Sequence, residues 1–130
     1  MTDRHRTLAV WLVWAACLTI LLGFIAHDGR NLPFEEDWLM VAPMTHHEPD
    51  LPGWLWSQNS EHRLPLPRLV NLVLLRATGD FRSTMVFDTL ILAAVTAGMI
   101  LVARRLRGGH TNLADAFFPL LLLHLGQWDN

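Results

Sequence analysis

The chain has 130 residues, 52% of them hydrophobic and only 17% charged, a balance that argues against a soluble domain. Its 12 acids and 10 bases leave a net charge of −2, and every base is arginine, so no lysine-rich patch marks a nucleic-acid footprint and nucleic acid is not expected as a partner. Cys17 is the single cysteine, which excludes an intramolecular disulfide framework and a cysteine-based zinc site.

The first element is the run Leu8 to Ala26 (LAVWLVWAACLTILLGFIA), 19 positions without a charge. Wound as a helix it extends about 28 Å, close to the hydrocarbon thickness of a bilayer, and it predicts a transmembrane helix. A cleaved signal peptide is the rival, since Arg4 and Arg6 resemble a positive n-region, but the apolar stretch is long and Phe24 spoils a small-residue cleavage site. After it, from His27 to Arg63, seven acids meet two arginines among prolines and the aromatic Trp38, Trp54 and Trp56. That composition predicts a structured loop with side chains to bury. With Arg4 and Arg6 before the helix and acids after it, the positive-inside rule places the N-terminus in the cytoplasm and the loop outside.

The segment Leu64 to Thr78 (LPLPRLVNLVLLRAT) reaches only about 22 Å as a helix, and Arg68, Asn71, Arg76 and Thr78 share one broad face at 100° per residue. It reads as an amphipathic helix on the outer membrane surface, opened by Pro65 and Pro67. The run Thr84 to Ala103 (TMVFDTLILAAVTAGMILVA) then predicts a second crossing, from outside to inside, because Arg104, Arg105 and Arg107 follow it. Gly108 and Gly109 supply a turn before a third apolar run, Leu113 to Trp128, which is expected to head outward again. The expected architecture is therefore all-α integral membrane. It has three crossings (8–26, 84–103 and 113–128), an outer loop over 27–83 with a surface helix at about 64–78, and a cytoplasmic loop over 104–112. The third run stops two residues after Trp128, so the sequence reads as the N-terminal part of a larger polytopic membrane protein.

Three polar constellations offer chemistry. Glu35-Glu36-Asp37 set three carboxylates side by side, which suits a general base or a cation contact; the plain alternative is a solvated acidic turn. His46, His47, Glu48 and Asp50 form a compact set of metal-ligand types, but their spacing matches no paired-ligand motif, and they are weak candidates. Gln58-Asn59-Ser60-Glu61-His62-Arg63 leads into Arg68: Arg63 and Arg68 suit a phosphate, and Glu61 and His62 suit proton exchange, against the plain alternative of arginines drawn to anionic lipid. Within the apolar runs, Asp88 and His124 are ionisable groups near the outer interface, where such groups need partners. Asp115 stands at the start of the third run, where an acid favours the helix dipole.

In this order, the features resemble the N-terminal region of the bacterial membrane-embedded C-type glycosyltransferases that use polyprenyl-phosphate sugar carriers. The residues that carry the resemblance are Glu35-Glu36-Asp37 near the start of the outer loop, the segment LPLPRLVNLVLLRATGDFRS, and Arg104-Arg105 in VARRLRGG. The match departs from the family in having Glu-Glu-Asp for the usual Asp-Glu pair and Leu-Pro-Leu-Pro for Lys-Pro-Pro. The resemblance implies Asp37 as the catalytic base, with Glu36 as the alternative, a lipid-linked sugar donor, and a bacterial inner-membrane location. It leaves a divalent metal open as a cofactor. The alternative function is a small non-catalytic membrane subunit whose acidic outer loop docks a partner and whose Asp88 and His124 face that partner's helices.

Overall fold

The computed structural model describes residues 2–58 and 62–125. The regular elements among those residues are all helical, without a β-strand: α1 (Asp3–Asp28), a 3-10 turn (Glu35–Met40), α2 (Val41–Met44), α3 (Leu51–Trp56), α4 (Pro65–Thr78), α5 (Arg82–Leu106), a second 3-10 turn (Leu113–Ala116) and α6 (Phe117–Leu122). They divide into two compact units, one of Met1–Gly29 with Val86–Asn130 and the other of Arg30–Met85.

In the first unit, α1 and α5 contain no proline and reach 26 and 25 residues, about 38 Å each. Both are long and apolar enough to cross a membrane. On α1 the buried residues are Val10 and Ile25, and the half-buried Thr7, Trp14, Cys17 and Leu21 join them at three- and four-residue steps, which is one helical stripe. On α5 the buried residues Thr89, Ala93, Thr96 and Ile100 form a similar stripe of mostly small side chains. Small residues let helix backbones approach closely, and here the Trp14 indole N–H donates to the Ala93 carbonyl at 3.0 Å. Thr96 satisfies its buried hydroxyl by donating to Leu92 O, 2.7 Å away on its own helix.

The expected third crossing over 113–128 takes a different form. Its helical part is Leu113–Leu122, about 15 Å long, which is half the thickness of the hydrocarbon core. It begins as a 3-10 turn because Asn112 caps it, accepting from the Ala114 amide at 3.0 Å. Pro119 stands in the first turn of α6 and is buried. The helix ends at Leu123, whose backbone has left the helical region and whose amide closes on Pro119 O at 2.8 Å. The run beyond Leu125 lies outside the described residues.

The second unit is small. Its core is Met40, Leu72, Leu75 and Phe81, with Val41, Met44, Leu51 and Trp54 packed against it, so α4 rests on α2 and α3. Gly79 ends α4 in the left-handed conformation, at φ 65°, where a residue without a Cβ is unstrained. Asn31 then ties the start of the unit to its end, donating to Gly79 O at 3.2 Å and accepting from the Phe81 amide at 2.9 Å.

Candidate functional site

The acidic triplet forms the first turn of the 3-10 segment in the second unit. Glu35 and Glu36 are exposed and Asp37 is half-buried. Asp37 turns back on its own chain: its Oδ2 accepts from the Phe34 amide at 3.3 Å while its amide donates to Phe34 O at 2.9 Å. This is half of a capping box, and it uses the carboxylate to satisfy an N–H that the helix leaves without a partner. Glu35 holds a positive φ of 45°, a conformation that costs a side-chain-bearing residue free energy.

The histidine pair is placed by the end of α2. His46 adopts the left-handed conformation, φ 61°, and donates its amide to Pro43 O, while the His47 amide reaches Ala42 O at 2.9 Å. This is the hydrogen-bond pattern of a Schellman motif, with histidine at the position glycine usually takes. The His47 ring bonds the Thr45 hydroxyl at 3.0 Å. Glu48 and Asp50 are engaged in the next helix start: Glu48 accepts from the Asp50 amide at 3.3 Å, and Asp50 N-caps α3 through the Gly53 amide at 3.0 Å. A Cβ on Gly53 would stand 2.1 Å from Asp50 Oδ2, so a side chain there would displace the capping carboxylate from this position. Among the described residues no three His, Cys, Asp or Glu side chains are grouped to hold a metal ion.

Arg68 has a different setting from the polar face the helical wheel suggests. It is buried, on the same side of α4 as Leu72 and Leu75. Its Nη1 donates to Trp54 O at 2.7 Å, to Ser57 O at 2.9 Å and to Ser57 Oγ at 2.7 Å, and its guanidinium lies 5.2 Å from the Trp54 ring centroid. A cation over these carbonyls satisfies the C-terminal end of α3 and favours its dipole. Two turns on, Arg76 repeats the device, donating from Nε and Nη2 to Pro43 O at 3.2 and 2.7 Å. Sequence reading missed Arg76 in this role; its eight-residue spacing from Arg68 was the available signal. His62 and Arg63 are exposed. Glu61, with Asn59 and Ser60, lies outside the described residues.

Of these candidate groups, the side chains of Asp37, His47, Glu48, Asp50 and Arg68 are thus engaged within the small helical unit, while Glu35, His62 and Arg63 stand at exposed positions. No family model, curated protein or solved structure matches the chain. The resemblance to C-type glycosyltransferases therefore rests on the residues themselves.

A second polar group, in the first unit, follows α5. Asp115, predicted only to favour a helix dipole, is 3% exposed and takes both Nη groups of Arg107, with Nη1 at 3.0 Å, as well as the Asn112 amide at 3.1 Å. The carboxylate raises the Arg107 pKa above its ordinary value by hydrogen bonding. Beside it, Thr111 is buried, receives the Thr7 hydroxyl contact at 2.8 Å, and donates its amide to Asp3 Oδ1 at 2.9 Å. Arg104 donates its Nε–H to Gly109 O at 2.9 Å. These bonds lock the Gly108-Gly109 turn against the start of α1. Asp80 and Arg82 make a similar local pair at the start of α5, and hydrogen bonding to Arg82 holds the Asp80 carboxyl below its ordinary pKa.

Proposed function

We propose that the chain is an integral membrane protein crossing the bilayer twice, through α1 and α5, and that its Arg30–Met85 unit is a non-catalytic docking platform on the outer surface. One observation carries the non-catalytic part: the side chains of Asp37, Asp50 and Arg68 are each engaged in capping or clamping the unit's own helices. The membrane part is supported by burial. Only 11% of the apolar window of α1 and 22% of that of α5 is buried, whereas a core helix of a soluble protein hides most of its apolar side chains. Two crossings put Arg4 and Arg6 on the same side as Arg104, Arg105 and Arg107, which the positive-inside rule assigns to the cytoplasm of a bacterial inner membrane. The exposed Glu35 and Glu36 then face outward and suit a basic segment on a partner membrane protein.

A second reading is the glycosyltransferase-like one, in which this chain forms part of a larger enzyme, with Asp37 as base, Glu36 as alternative, and Arg63, Arg68, His62 and Glu61 toward a polyprenyl-phosphate sugar. The placement of Asp37 beside Trp38, which is 65% exposed, favours it, because tryptophan belongs at the interface where a lipid-linked head group lies. Two substitutions in the full-length protein separate the readings. Asp37→Asn leaves sugar transfer from polyprenyl carriers unchanged if the unit is a platform and lowers it by about 100-fold or more if Asp37 is the base. Glu35→Lys with Glu36→Lys abolishes co-purification of a partner membrane protein if the unit is a platform and leaves it intact otherwise.

A further inference from the structure

We propose that a groove in the first unit, on the arginine-rich side, binds one anionic phospholipid through Arg4 and Arg104. This rests on the reading of α1 and α5 as membrane helices. The groove has a volume of about 470 Å³ and is lined by Asp3, Arg4, Thr7, Leu8, Trp11 and Arg104.

Its chemistry is graded along α1. Arg4 stands in the first turn of α1 and Arg104 in the last turn of α5, so one cation comes from each helix, at the end where both would leave the bilayer. The Nε–H of Arg104 is fixed on Gly109 O at 2.9 Å, which orients the guanidinium, whose Nη groups carry its other four donors. Asp3 places the one acid here, but its Oδ1 accepts the Thr111 amide at 2.9 Å and so turns toward His110 and Thr111 in the turn after α5. The lining keeps a net positive charge. Leu8 and Trp11 follow one and two turns deeper, and Trp11 packs edge-on against Trp14 with ring centroids 5.6 Å apart. From Arg4 to Trp11 the helix rises about 10 Å, the depth from a phosphate to the upper acyl chain. A soluble phosphate ester uses only the cationic end, whereas a phospholipid uses both ends, and interfacial tryptophan with arginine is the pairing that membranes select. The general attraction of arginines for anionic lipid is weaker and spread over all of them; Arg6 and Arg105, both exposed and neither in the groove, measure it.

The test is native mass spectrometry of the purified full chain in detergent, titrated separately with dioleoyl-phosphatidylglycerol, dioleoyl-phosphatidylcholine and inorganic phosphate. The expected result is a 1:1 phosphatidylglycerol adduct, weakened about tenfold or more in Arg4→Gln with Arg104→Gln. It should be largely kept in Arg4→Lys with Arg104→Lys, which also shows that the site folds, and kept within about twofold in Arg6→Gln with Arg105→Gln. The proposal is overturned by equal loss in the Arg6 and Arg105 variant, by phosphatidylcholine binding as tightly, or by inorganic phosphate displacing the lipid completely. Alkaline carbonate extraction separates this from the underlying reading: a chain washed from membranes defeats both, and a retained chain without lipid preference defeats this one alone.

Discussion

Arg68 shows how a single residue's role depends on its place on a helix. A guanidinium before a run of leucines suggests a phosphate contact, but four and seven residues later stand Leu72 and Leu75, the centre of the small core, and this periodicity turns Arg68 inward with them. Once buried it must be paired, and the C-terminal carbonyls of α3 pair it. Arg68→Met is expected to destabilise the Arg30–Met85 unit by about 2–3 kcal/mol, and Arg68→Lys to restore only part, because an ammonium lacks the planar guanidinium that lies over the Trp54 ring. Arg63→Gln, at an exposed position, is expected to stay within about 0.5 kcal/mol. Thermal unfolding followed by circular dichroism in detergent checks all three. His46 provides a second case: it carries the left-handed φ that glycine adopts freely. His46→Gly is expected to stabilise the unit by about 0.5–1 kcal/mol, whereas a metal-ligating histidine would make the same change lower zinc or manganese affinity instead.

At the scale of elements, the long helices were legible and the short ones were not. The apolar runs 8–26 and 84–103 correspond to α1 and α5, each extended by a few polar residues at its ends, and the segment about 64–78 corresponds to α4. Length and hydropathy carry that information locally. The helices α2 and α3, of four and six residues, are too short for any periodicity and exist because of their caps and of α4 packed on them. The candidate site was legible as residue types and not as roles, since a cap and a catalytic acid use the same carboxylate. For α4, the amphipathic pattern was readable but its orientation was not. With Arg68, Leu72 and Leu75 inward, the outward side presents Leu66, Leu69 and Val73, which are 69%, 43% and 58% exposed. On the proposed reading, with α1 and α5 as membrane helices, this apolar outward stripe is expected at the bilayer surface. In a Cys17→Ser background, an environment-sensitive fluorophore on Val73→Cys is expected to emit blue-shifted in liposomes, and one on Thr78→Cys to emit as in water. Equal, water-like emission from both would remove α4 from the membrane.

For the whole molecule, the order of apolar and charged segments decides the account. Among the described residues Leu113–Leu122 is too short to cross, and the candidate crossings by length and hydropathy are α1 and α5; the proposed reading then puts the two groups of arginines on the cytoplasmic side and the residues between α1 and α5 outside. That arrangement also makes sense of the polar lock of Arg107, Asp115, Thr111 and Asp3, which holds the turn after α5 against the first turn of α1. Sidedness is therefore the central claim. It is tested most directly in a Cys17→Ser background by placing one cysteine at Ala42, exposed on α2, or at His110, exposed in the turn after α5, and labelling intact cells with a membrane-impermeant maleimide. The account predicts that Ala42→Cys labels at once and that His110→Cys labels only after permeabilisation; equal labelling of both positions in intact cells would contradict it.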